Sequence, residues 1–193
     1  MPDFLLSGLP TLDPDHEGSV TAVIETPKGS PNKYNYDETC GAFRLGGVLP
    51  EGSTFPYDFG LLPFTRGEDG DPLDVLVFME HPVPVGCVLT IRLIGVLEAK
   101  QRERGGDWIR NDRLLAVATH AHTHRHIETI DDLRPHLLDE IEAFFENYNK
   151  LKGKEFKPLN RAGPKKAHKL LETGMAAFRE HAQQAERKTT ETR

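Results

Sequence analysis

Short β-branched apolar runs dominate the chain between Gly18 and about Ala99, notably Val20-Thr21-Ala22-Val23-Ile24, Val75-Leu76-Val77-Phe78 and the stretch from Val88 to Val96. Runs of this length and composition predict strands. Pro27, Gly29, Gly46-Gly47, Pro56, Gly70, Pro72, Pro82 and Pro84 punctuate them at hairpin-like spacing. That leaves little room for crossover helices, so the front half reads as antiparallel and barrel-like. One more strand is predicted over Arg113-Leu114-Leu115-Ala116-Val117-Ala118, after a polar loop. Beyond residue 130 the period changes. Leu137, Leu138, Ile141, Phe144, Phe145, Tyr148 and Leu151 recur at three- and four-residue steps behind Pro135, the pattern of an amphipathic helix opening near a proline. A second helix begins near Pro164, with Ala167, Leu170, Leu171, Met175 and Phe178 on one side and Gly174 weakening it. The pattern predicts a mainly β fold of the α+β kind, a barrel of short strands covered by two C-terminal helices.

With 193 residues, 37% of them hydrophobic, the chain suits one domain over residues 1–182, followed by a polar, frayed tail over 183–193. The balance of 24 basic against 30 acidic residues, a net charge of −6, argues against an extended nucleic-acid or membrane-surface footprint. Cys40 and Cys87 match neither a paired metal spacing nor a disulfide framework, which points to a reducing, cytoplasmic setting. The opening Met1-Pro2-Asp3-Phe4-Leu5-Leu6 carries an acid where an export signal carries base, and its apolar run is too short to span a bilayer.

Candidate chemistry concentrates in Glu68-Asp69-Gly70-Asp71-Pro72-Leu73-Asp74, four carboxylates within seven residues just before an apolar strand. Like charges this close raise one another's pKa values, and bound divalent cations reverse the effect. Oxygen-only donors favour magnesium, with manganese as a substitute, over zinc. A calcium loop of the EF-hand kind fails on position: counting from Asp69, the sixth place holds Asp74 instead of glycine. A solvated acidic turn is the plain alternative.

The segment Gly70-Asp71-Pro72-Leu73-Asp74-Val75-Leu76-Val77 resembles the signature of soluble, family I inorganic pyrophosphatases. The likeness extends upstream to Val23-Ile24-Glu25-Thr26-Pro27, to Asn32-Lys33-Tyr34 and to Phe55-Pro56-Tyr57-Asp58-Phe59-Gly60, and downstream to Phe144-Phe145-Glu146-Asn147-Tyr148. In that order it covers about residues 18 to 157. The resemblance implies a five-stranded closed OB-like barrel, assembly as a homo-oligomer and hydrolysis of pyrophosphate to two phosphates with several magnesium ions. It assigns Asp71 as the catalytic proton acceptor. Asp69, Asp74 and Glu25 match metal-binding carboxylates, and Lys33, Tyr148 and Lys154 match phosphate contacts. In the loop before the last predicted strand two alignments compete. One keeps Arg113 as the basic residue and puts Asn111 at a metal carboxylate's place; the other keeps the carboxylate spacing and assigns Asp107 and Asp112 to the metals. Arg113 suits phosphate geometry in either.

The chain departs from the family pattern in three places. Gly47 stands where an arginine is expected in Leu45-Gly46-Gly47-Val48-Leu49, Phe59 where a tyrosine is expected, and Asn149 where a lysine often follows the helix tyrosine. A phosphate-binding or altered-specificity relative is therefore a second reading. An oligonucleotide-binding barrel is a third, opposed by the net charge and the scarcity of clustered aromatics. His120, His122, His124 and His126 alternate, and in an extended backbone would project to one side, as a transition-metal site or as a plain polar connection. Trp108 fits either a cover over the site or a subunit contact.

Overall fold

The computed structural model describes Leu6, residues 8–16 and residues 18–191, so the start of the chain read above as lacking an export signal lies mostly outside the described residues. Nine strands and two long helices follow in the order β1 (Val20–Thr26), β2 (Asn32–Asp37), β3 (Ala42–Val48), β4 (Asp58–Leu61), β5 (Asp74–Phe78), β6 (Val88–Glu103), β7 (Ile109–Arg110), β8 (Arg113–Ala118), α1 (Leu137–Leu151), β9 (Lys154–Ala162) and α2 (Pro164–Glu191). Five strands close a ring, β1-β4-β5-β8-β6, with β6 returning to β1. This is the mainly β, OB-like barrel expected from the sequence. β6 is long enough, at 16 residues, to close the ring and then run on as a platform for β7 and β9.

Two strand relations differ from the expectation. β5 and β8 pair parallel, with Asp74 opposite Arg113 and Phe78 opposite Val117, because β6 is inserted in the chain between them and returns antiparallel on β8. β9 was not predicted at all. It is an edge strand of mostly polar sequence, and Pro158 sits at the irregularity opposite Glu98 and Ala99, where a missing N–H is tolerated.

The core is continuous from barrel to helices. Every residue of β1 and β8 is buried, as both faces of those strands are covered. On α1 the buried positions Leu137, Ile141, Phe145 and Asn149 fall at four-residue intervals, one stripe pressed on the barrel. α2 packs through Ala167 and Leu171 and extends to Glu191. Among the described residues no helix is long and apolar enough to cross a membrane. The histidine stretch after β8 is a succession of turns, not an extended segment, so the alternation that would align its imidazoles is lost. Glu80 anchors it by accepting the Thr123 N–H, the Thr123 hydroxyl at 2.8 Å and the His122 N–H at 2.8 Å, bonds that pull its pKa down to about 2.

Gly174 does more than weaken α2. A methyl group there would stand 2.7 Å from Leu73 Cδ1, so its absence lets the helix lie directly on the acidic loop. Gly174→Val is expected to destabilise the protein by about 1–3 kcal/mol through overpacking, despite a better helix residue. A thermal melt checks this: an unchanged midpoint would mean that α2 does not press on the loop.

Candidate active site

The acidic loop leaves β4 and re-enters the sheet at β5. It is closed by short polar bonds: the buried Thr65 hydroxyl donates to Leu62 O at 2.7 Å and accepts the Leu73 N–H at 2.9 Å, and the Gly67 N–H donates to Asp71 O at 2.8 Å. Gly70 turns the loop at φ 93°, a conformation that side-chain-bearing residues rarely adopt. The result aims Asp71 and Asp74 into a cleft of about 710 Å³ at the mouth of the barrel, also lined by Lys33, Arg113, Tyr148 and Lys154. Asp69 sits just behind, in an adjoining hollow, its carboxylate accepting the Asp71 N–H at 3.2 Å.

Two ion pairs organise the floor. Arg113, 5% exposed, reaches Asp74 at 2.6 Å and also donates to Asn111. Its guanidinium lies over three rings, 5.0 Å from Phe145, 5.7 Å from Phe156 and 5.9 Å from Phe59. Lys33, 6% exposed, reaches Glu25 at 2.9 Å and lies 4.7 Å over the Phe59 ring. A charge this buried needs a partner, and breaking either pair would leave a costly orphan. Phe59 thus offers a ring face to two cations where a hydroxyl was expected.

The electrostatics follow from crowding. Burial pushes Asp74 up to about 6, with Glu25 and Asp69 adding repulsion that the attraction of Arg113 and Lys33 does not cancel. Burial likewise raises Asp69. Tyr148 is pushed up to about 12 by burial, so its hydroxyl stays a donor at neutral pH.

Two expected ligands, Asp107 and Asp112, are placed elsewhere, and a third, Glu25, lines the cleft but is engaged. Glu25 has both oxygens engaged, one by Lys33 and the other by the Tyr36 N–H at 2.7 Å. Asp107 lies in the exposed turn between β6 and β7 and is not among the residues lining the cleft. Asp112 turns away from the cleft to accept the Ala99 N–H at 2.8 Å and to pair with Arg110 at 2.9 Å. Asn111 lines the cleft in its stead. The reason is alternation: along Arg110-Asn111-Asp112-Arg113 the second and fourth residues share one side and the first and third the other. The geometry therefore matches the alignment that keeps Arg113 and Asn111 together. Trp108 stacks under Lys100 and Arg102, at 4.9 and 4.5 Å, away from the cleft. The aromatic bed under Arg113 was not anticipated; only the Phe55–Phe59 and Phe144–Tyr148 motifs hinted at it.

As the side chains stand, no three His, Cys, Asp or Glu among the described residues converge on one point, since Glu25 is closed on Lys33 and Asp74 on Arg113. The donor set nevertheless fits a hard dication. Asp69, Asp71 and Asp74 offer only oxygen, and a bound dication would favour the ionised form of an Asp74 carboxylate that burial raises to about 6.

A closed five-stranded barrel whose mouth interleaves carboxylates with Lys, Arg and Tyr defines the class of barrel hydrolases for small polyanions. The chain belongs to the inorganic pyrophosphatase family: the profile described as "Inorganic pyrophosphatase" matches residues 22–179. It is 42% identical over 137 residues to an inorganic pyrophosphatase of Synechocystis, covering 71% of this chain and 78% of that one. It is 40% identical over 152 residues to that of Thermus thermophilus, covering 79% and 83%. The crystal structure of inorganic pyrophosphatase from Thermus thermophilus superposes with a TM-score of 0.81 at 35% identity, over 90% of this chain and 98% of that chain. An inorganic pyrophosphatase from Neisseria gonorrhoeae does so with a TM-score of 0.81 at 29% identity, over 91% and 99%.

Asp112→Ala is expected to cost about 1–3 kcal/mol, because the buried Ala99 N–H loses its acceptor. Asp112→Asn keeps an acceptor and should cost less. Denaturant unfolding of both variants measures this, and equal losses would assign the effect to the charge facing Arg110 instead.

Proposed function

We propose that the cleft hydrolyses inorganic pyrophosphate to two phosphates with magnesium as cofactor. The observation that carries this reading is the meeting, in one cleft, of the Asp71 carboxylate with Lys33, Arg113, Tyr148 and Lys154. Pyrophosphate is small and highly anionic, and an acidic mouth admits it only when cations neutralise both partners. Asp69, Asp71 and Asp74 would hold magnesium. Bound there, magnesium neutralises phosphoryl charge and lowers the pKa of coordinated water.

The residues of the chain divide the remaining work. Lys33, Arg113 and Lys154 bring positive charge to the phosphate oxygens, and the Tyr148 hydroxyl donates a hydrogen bond. These contacts hold the diphosphate in line for attack. Asp71 takes the proton of the attacking water as its oxygen bonds to phosphorus, and the bridging P–O bond breaks to release the second phosphate. An exposed carboxylate such as Asp71 suffices as acceptor when the water is acidified. A cytoplasmic location and a homo-oligomeric assembly belong to the same reading, and the two free cysteines are consistent with the first.

Phosphate release from pyrophosphate is expected with magnesium and not in excess chelator. Asp71→Asn, which preserves shape and removes the proton acceptor, should lower kcat about 100-fold or more with an unchanged melt. Near-normal turnover would place the acceptor elsewhere.

Magnesium should also raise the melting temperature by several degrees, since a ligand at about 100 times its Kd adds about 2.7 kcal/mol. The sign of the pH dependence follows from Asp74. In the metal-free protein its raised pKa contributes stability that is complete below the ordinary 3.8 and is lost as pH rises through about 6. Protons and magnesium compete for the same carboxylate, so the magnesium-induced shift should be larger at pH 7.5 than at pH 5, and smaller in Asp74→Asn at pH 7.5. An equal shift at both pH values would remove Asp74 from the ligand set.

A further inference from the structure

Lys152 is the first residue after α1, and its backbone is fixed there by donation of its N–H to Asn149 O at 3.0 Å. Its ammonium lies 4.5 Å from the centroid of the Tyr148 ring. Across the cleft rim, the same ammonium stands 3.9 Å from where a Cβ on Gly47 would be. Gly47 is the register partner of Lys33 on the β2–β3 hairpin, so Lys152 closes a gap between the hairpin and α1 beside the Lys33 rung.

The cations that line the cleft include Lys33, Arg113, Lys154 and Lys152. Three of these have a carboxylate, Glu25 for Lys33, Asp74 for Arg113 and Glu103 for Lys154. Lys152 has none among the described residues. Burial lowers its pKa, and the positive charges of Lys33 and Lys154 lower it further. An ammonium collected among like charges, against a ring face and without a carboxylate, is relieved by an anion arriving in the cleft.

The missing side chain at position 47 and the placement of Lys152 are one arrangement. Neither Gly46 nor Gly47 has a positive φ, and a Cβ at Gly47 would meet nothing closer than the end of the Lys152 side chain, so backbone strain does not demand glycine at 47. What a long side chain there would meet is the ammonium of Lys152. The other neighbouring groups are committed: Arg44 pairs with Asp37 at 2.6 Å, and the Asn149 amide donates back to Phe145 O at 2.9 Å.

We infer that Lys152 is a further substrate-binding residue, delivering its ammonium through the space left open by Gly47 to the outer phosphate oxygens of a diphosphate held beside Tyr148 and Lys33. The inference rests on the pyrophosphatase reading for its ligand. It makes Lys152 and position 47 alternatives: one long cation serves the place, and two crowd it.

The test uses the full chain and four variants, Lys152→Met, Lys152→Arg, Gly47→Arg and the double variant Gly47→Arg/Lys152→Met. Methionine keeps the apolar stem over Tyr148 and removes only the charge. Two quantities are read: KM and kcat for magnesium pyrophosphate, and the Kd of magnesium methylenediphosphonate by titration calorimetry. Loss of a charge-assisted contact predicts about a ten-fold rise in both KM and Kd for Lys152→Met, with kcat much less affected. Lys152→Arg should stay near the parent protein. Gly47→Arg alone should gain nothing, and the double variant should recover to within about three-fold. A Kd and KM for Lys152→Met within two-fold of the parent would overturn the assignment and leave Lys152 as a packing contact on Tyr148. Weakening in Lys152→Met without recovery in the double variant would overturn the shared place with position 47. Failure of the pyrophosphatase reading shows separately, as no phosphate release by the parent protein, and the calorimetric comparison still decides the role of Lys152.

Discussion

The ion pair between Asp74 and Arg113 fixes both the barrel and the site. The two residues are partners on the opening rung of the parallel β5–β8 ladder, and their charged groups meet at 2.6 Å. A slip of one residue by either strand would turn its charged side chain to the opposite face and put Val75 or Leu114 at the cleft. The register of the sheet is therefore also the register of the chemistry. Burial of Arg113 over three aromatic rings explains why it tolerates no loose arrangement: a guanidinium removed from water must keep its carboxylate, its amide and its ring contacts together.

From that pair the rest of the cleft is an exercise in charge neutrality. The second pair, Glu25 of β1 with Lys33 of β2, repeats the design on the other side of β4, whose Phe59 lies beneath both cations. Each pair holds a cation ready for an anionic substrate while tying up the carboxylate that would otherwise repel it. The acidic loop supplies the countercharge. Burial raises Asp74 to about 6 and repulsion from Glu25 and Asp69 adds to it, a condition that a dication relieves. Substrate and cation thus favour one another's entry, the electrostatic logic of a metal-assisted phosphoanhydride hydrolase.

The departures from the family pattern are accommodated without an empty place in the floor. Phe59 replaces a hydroxyl contact by a ring face under Lys33 and Arg113, and Asn149 folds back onto its own helix as the last buried residue of the α1 stripe. At Gly47 the compensation comes from a different element, the turn after α1, which no local reading of β3 could supply.

The sequence by itself determined the barrel strands β1, β5, β6 and β8, though not the short β4, and with them both helix starts and the acidic loop, because those depend on periods and short motifs that act within one segment. Val75–Phe78 is apolar without interruption, Val20–Ile24 is broken only by Thr21, and the Leu137-to-Leu151 stripe has a helical period. The polar edge strand β9, with a proline inside it, carries no such signal and is a strand only because β6 offers it an edge. Tertiary structure alone decided the parallel β5–β8 pairing, the choice of Asn111 over Asp112 for the cleft and the meeting of Lys152 with Gly47. Each depends on which side of a strand or turn faces a segment far away in the chain. Spacing along a sequence sets which residues share a face, but only the packing of one element on another decides what that face meets.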